Sequence, residues 1–167
     1  MIPRKDVAKC KRIATKIHKR VSWLNAFADA YGELEMEEKV LRRLSSHALA
    51  AKMALASQIL IMSLAISGSS IARKDDCDFS ALQRLLKNKK ISDYFCQSVT
   101  NKDFAKEVLR DFKKFKIPKT LKTLRDKHFA HITSKRFLKG RGKMIYQYQQ
   151  KVSHHAEMLY RLMIKKS

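Results

Sequence analysis

Arg125, His128 and His131 stand at three-residue intervals in the run Leu121-Lys122-Thr123-Leu124-Arg125-Asp126-Lys127-His128-Phe129-Ala130-His131. On an α-helix each step of three turns the chain by about 60°, so the trio would form one diagonal row within a third of the circumference. A guanidinium offers planar, permanently charged donors that suit a phosphate, and an imidazole takes up or releases a proton near neutral pH. Together they suffice for phosphodiester cleavage without a metal. A His takes the 2′-OH proton, and Arg125 stabilises charge growing on the phosphate oxygens. Residue chemistry alone favours a plainer alternative, in which Arg125 pairs with a nearby acid and the histidines are half-buried surface groups.

The surroundings of this run are strongly basic. From Lys113 to Lys143 there are twelve Lys or Arg against Asp126 alone, and Lys119, Lys122, Lys127, Lys135, Arg136 and Arg141 are the candidate RNA contacts. The whole chain of 167 residues carries a formal charge of +22, which attracts any polyanion. Nucleic acid is the leading partner, with an anionic membrane surface as the competing explanation of the same charge. Residues Met53 to Ala72 are uncharged for long enough to span a bilayer, yet Ser57, Gln58, Ser63, Ser67, Ser69 and Ser70 make insertion costly. A buried core or dimer helix is the expectation there, and no membrane insertion. Cys10, Cys77 and Cys96 form no CxxC pair and read as reduced thiols. The charged opening Met1 to Asp6 has no apolar leader, so a cytoplasmic location is expected.

The elements that would position these groups read as helices throughout. Few Gly and Pro interrupt the chain, and no segment alternates as a sheet strand does, which predicts a single all-α domain over residues 1–167. Cys10, Ala14, Ile17, Val21, Leu24, Ala28 and Tyr31 mark one face of a first helix from Arg4 to Tyr31, with Gly32 as its stop and a solvated basic face opposite. The acidic run Glu33 to Glu38 would open a second helix reaching about Ser67, a rod approaching ~50 Å. Its stretch Ala48 to Ile66 is a candidate dimer seam. Shorter helices follow over Ala81 to Lys87, capped by Ser80, and over Ile91 to Val99. Asn101 caps an amphipathic helix that ends at Ile117-Pro118, and Pro118 opens the helix carrying Arg125. A basic turn, Lys139 to Lys143, precedes a last helix from Met144 to Ile164.

The segment Arg125-Asp126-Lys127-His128-Phe129-Ala130-His131 resembles the signature of the HEPN superfamily: an Arg, a polar residue directly after it, and a His four to six residues beyond the Arg. The wording Leu-Arg-Asp-Lys-x-x-Ala-His looks most like the abortive-infection branch. The resemblance implies a dimeric helical bundle whose paired clefts act as a metal-independent endoribonuclease in toxin-antitoxin or phage-defence systems. Arg125 and His131 would then be catalytic. Asp126 would orient one of them, with His128 as a candidate helper, and no cofactor is implied. The partners implied are RNA, a second copy of the chain, and an antitoxin or a nucleotidyltransferase. Thr133 stands where some relatives carry a Tyr that a partner nucleotidyltransferase modifies, and where abortive-infection relatives often carry Asp. Inactive members make a noncatalytic module, holding RNA or a nucleotidyltransferase, the alternative.

Other constellations carry less. His154 and His155 are adjacent and would point about 100° apart on a helix, poorly placed to share a metal. His47 on an apolar stripe reads as a satisfied core group. Trp23, Phe27 and Tyr31, at four-residue spacing, read as core packing rather than a base-stacking platform.

Overall fold

Glu33, Leu34, Glu35, Met36, Glu37, Glu38 and Lys39 all favour helix, and together they outweigh the cost of about 1 kcal/mol that a single interior glycine imposes. In the computed structural model, which describes residues 4–41, 45–68, 77–128 and 141–165, the first helix therefore runs through Gly32. This α1 spans Arg4–Leu41, 38 residues and about 57 Å of rise. The acidic run extends α1 instead of opening the next helix, which corrects both expected boundaries. The second helix, α2 (Ser46–Ile66), starts afresh at Ser45, whose side chain accepts from the Ala48 backbone N–H at 3.2 Å.

Five more helices follow among the described residues: α3 (Phe79–Leu86), α4 (Lys89–Gln97), α5 (Lys102–Lys114), α6 (Lys119–His128) and α7 (Gly142–Tyr160), the last running on into a π turn over Arg161–Lys165. The described residues contain no strand. Asn101 caps α5 through Phe104 N–H at 2.9 Å, as the sequence predicts. At α3 the cap is Asp78, bonded to Ala81 N–H at 2.8 Å, while Ser80 donates to the Ser67 carbonyl at 3.2 Å. Asp78 holds a fixed negative charge against the helix N-terminus, which a serine cannot supply. The α5 terminus is closed from outside, because Gln83 Nε2 donates to the carbonyls of Phe112 and Phe115 at 2.8 and 3.0 Å.

Helices α1, α2 and α7 pack against one another pairwise, α3 to α5 cluster at one side, and α6 lies against α2. The core is continuous through Ile13, Ile17, Leu24, Ile59 and Leu64 to Phe79, Phe95 and Phe112. Phe79 meets the rings of Phe112 and Phe115 edge-on at 5.1 and 5.4 Å. Polar ties cross the same core. Asn25 Oδ1 accepts from Gln149 Nε2 at 2.8 Å and from Ser153 Oγ at 2.7 Å, joining α1 to α7. Tyr148 donates to Ser67 Oγ at 2.7 Å, joining α7 to the end of α2.

Among the described helices, α2 is long and apolar enough to cross a membrane, and half of its apolar stretch is buried inside the bundle. Its buried Ser57 and Ser67 hydroxyls donate to the carbonyls four residues back, of Met53 and Ser63, which lowers the cost of placing them in the core. Ala50, Ala51, Ala54 and Gln58 face outward.

Candidate functional site

The helix that carries the Arg-x-x-His row is short and set by its neighbours. Pro118 cannot donate a backbone hydrogen bond and disfavours helix at Ile117, so α5 and α6 are separated by an extended link. Leu121 N–H bonds the Pro118 carbonyl at 3.1 Å as α6 begins. Leu121 and Leu124 are buried and fix which side of α6 is turned toward the bundle. Arg125, Asp126, Lys127 and His128 are all helical, and Arg125 and His128 share one register face of α6.

His131, Lys135 and Arg136 lie outside the described residues. Lys119 is exposed at the start of α6, and Lys122 and Lys127 occupy the helix. Arg141 stands half-buried at the start of α7. Exposed Lys113, Lys114, Lys116 and Lys143 add to the basic tract.

Two cavities flank this region. One, of about 290 Å³, sits between the α5–α6 link and α7, lined by Phe115, Lys116, Leu121, Met144, Tyr148 and Lys151. Burial pushes the Tyr148 phenol up to about 12, so it serves as a hydrogen-bond donor and not as an acid near neutral pH. His155 meets Phe115 edge-on at 4.9 Å. Loss of hydration, aided by the charge of His154, moves His155 below the ordinary imidazole value and favours its neutral form, with Asp111 opposing. The other cavity, about 490 Å³, lies between the C-terminal half of α1 and the start of α7, lined by Tyr31, Glu35, Met36, Lys143 and Tyr146. Lys52 Nζ is 3.7 Å from Glu35 and 5.6 Å from the centre of the Tyr31 ring. The position of Gly142 is set by this approach, because a side chain there would meet the Tyr31 hydroxyl.

Two residues, His47 and Trp23, are placed otherwise than the sequence suggests. His47 is exposed in the first turn of α2, with Nδ1 at 3.3 Å from the Ser46 hydroxyl, and is no core group. Trp23 is 68% exposed, Phe27 is half-buried, and of the three aromatics only Tyr31 is buried. The packing reading therefore fails at Trp23. No group of three or more His, Cys, Asp or Glu gathers as a metal site among the described residues. The chain matches no protein-family model, no curated protein and no solved structure.

Proposed function

We propose that this protein is a HEPN-like, metal-independent endoribonuclease, acting as a homodimer in a toxin-antitoxin or phage-defence setting. The observation that carries the reading is the sequence pattern Arg125-Asp126-x4-His131 inside a tract of twelve cations, with its Arg on α6. The all-α bundle and the helical course of residues 119–128 support it. So does the packing of α6 on α2, whose outward small residues offer a close-approach surface to a second copy.

In this mechanism His131 removes the 2′-OH proton, and the alkoxide attacks the adjacent phosphorus. Arg125 holds the equatorial oxygens as charge grows on them, and the P–O5′ bond breaks as the 5′ oxygen takes a proton from solvent, giving a 2′,3′-cyclic phosphate and a 5′-hydroxyl end. Asp126 orients Arg125 or His131, His128 is a candidate helper, and Lys119, Lys122, Lys127, Lys135, Arg136 and Arg141 hold the strand. Incubating single-stranded RNA with the protein in EDTA tests this. Cleavage should fall by about 10²-fold or more in both Arg125→Ala and His131→Ala. Cleavage unchanged in both variants removes the catalytic assignment, and RNA retained without any cleavage by the wild type assigns the noncatalytic module instead.

A further inference from the structure

Helix α1 carries two stripes, and the bundle uses one of them. Val7, Cys10, Ile17 and Leu24 pack inward. On the far side Lys5, Lys9, Arg12, Lys16, Lys19 and Trp23 follow one another at four- and three-residue steps, within a sector of about 80°. Trp23 and the cations other than the half-buried Lys9 are exposed. The row rises about 27 Å, with one cation per turn and the indole at its end.

Ordinary solvated helix faces mix charges, and α5 shows this within the same molecule. There Lys106 pairs with Asp103 at 3.2 Å, and Arg110 lies 3.3 Å from Asp111 and 3.9 Å from Glu107. The α1 row has no such compensation among the described residues, and the sequence from Val7 to Ala28 contains no acid. Like charges one turn apart work against a helix about as much as opposite charges help it. A polyanion laid along the row removes that penalty. A lipid surface would need a broad apolar face beside the cations. On α1 the apolar face is already in the core, and the outer stripe offers a single aromatic ring. One exposed indole at the end of a track of cations is instead what a flexible strand with unpaired bases can use, phosphates on the cations and a base against the ring.

We propose that the outer face of α1 is a binding track for single-stranded RNA, with Lys5, Lys9, Arg12, Lys16 and Lys19 on the phosphates and Trp23 stacked on an unpaired base. This rests on the RNA-acting reading above and adds to it a contact surface distinct from the α6 motif. Trp23 is the sole tryptophan of the chain, so its emission reports on this spot alone. A labelled 2′-O-methyl oligouridine, which lacks the attacking hydroxyl, isolates binding from cleavage. Its titration should quench Trp23 emission, and Trp23→Ala should weaken binding about tenfold while Trp23→Phe weakens it less. The double variant Lys16→Glu, Lys19→Glu should lower both the affinity and its salt dependence. Strand binding, followed by anisotropy, with Trp23 emission and Trp23→Ala affinity unchanged overturns this track and leaves the RNA-acting reading intact. No binding at all overturns both. A blue-shifted emission with phosphatidylserine vesicles and no response to the oligonucleotide assigns the face to a membrane surface instead.

Discussion

His155 lies between two rings, 6.0 Å from Phe112 and 4.9 Å from Phe115, where its charged form loses hydration that the neutral form does not need. Its folded value therefore sits below the 6.5 of an unhindered imidazole. Between those two values the unfolded chain binds more protons than the folded one, so stability rises with pH there. The contribution is fully present above the unfolded value and is lost as pH falls toward the lowered folded one. The thermal midpoint should drop on going from about pH 7.5 to about pH 5.5, and His155→Gln should flatten that drop. An identical slope in the variant contradicts the account. The aromatic run of α1 shows how far such details can be read from sequence. A four-residue step on a helix overshoots one turn by about 40°, so Trp23, Phe27 and Tyr31 drift steadily around α1. Their exposure follows the drift, from open through half-buried to buried. The angular count was available in the sequence, since Trp23 lies about 100° from Leu24, whereas i, i+4 spacing taken alone concealed it.

Capping is legible in part. Asn101 caps α5 as the sequence predicts, because it acts on its own few neighbours, whereas the α3 cap is Asp78 and not Ser80, and α2 opens at Ser45 and not in the acidic run. Asn101→Ala should cost about 1 kcal/mol in a chemical denaturation experiment through the lost bond to Phe104 N–H. The glycines show the opposite case. Gly32 sits inside α1 with open space around it, while Gly68, at φ +88, ends the α2 turn where a side chain would meet Ser80. Both look alike in a sequence, and only the backbone angle tells them apart. Gly68→Ala should therefore destabilise by more than about 1 kcal/mol, whereas Gly32→Ala should be neutral or stabilising, and equal effects of the two would contradict this distinction. At the candidate site the same scale sets the limit of legibility. The Pro118 punctuation and the apolar Leu121 and Leu124 make α6 readable, and with it the shared face of Arg125 and His128. His131 lies three positions past the last residue of α6, outside the described residues, where no local pattern fixes its place.

For the molecule as a whole, an excess of 37 Lys and Arg over 15 Asp and Glu is too large to be a solubility device, since it raises the self-repulsion of the folded state. Two concentrations of this charge stand out, the exposed outer face of α1 and, along the sequence, the run from Lys113 to Lys143. The hydrophobic core draws on α1, α2 and α7 and also on Phe79, Phe95, Phe112 and Leu121 of the shorter helices. All-α architecture was legible because apolar spacing and scarce turn residues both act along the whole chain. The extent of α1 was not, because it depends on one glycine being outweighed by its neighbours. The central claim is a proton transfer from a ribose 2′-OH, and the most direct measurement is the fate of a single linkage. A single-stranded RNA and the same strand with a 2′-O-methyl group at the cut site, both in EDTA, should behave differently. The first should yield a 2′,3′-cyclic phosphate end, and the second should stay intact. Cleavage of the methylated strand at the same rate, or a product lacking the cyclic end from the start of the reaction, would contradict the account.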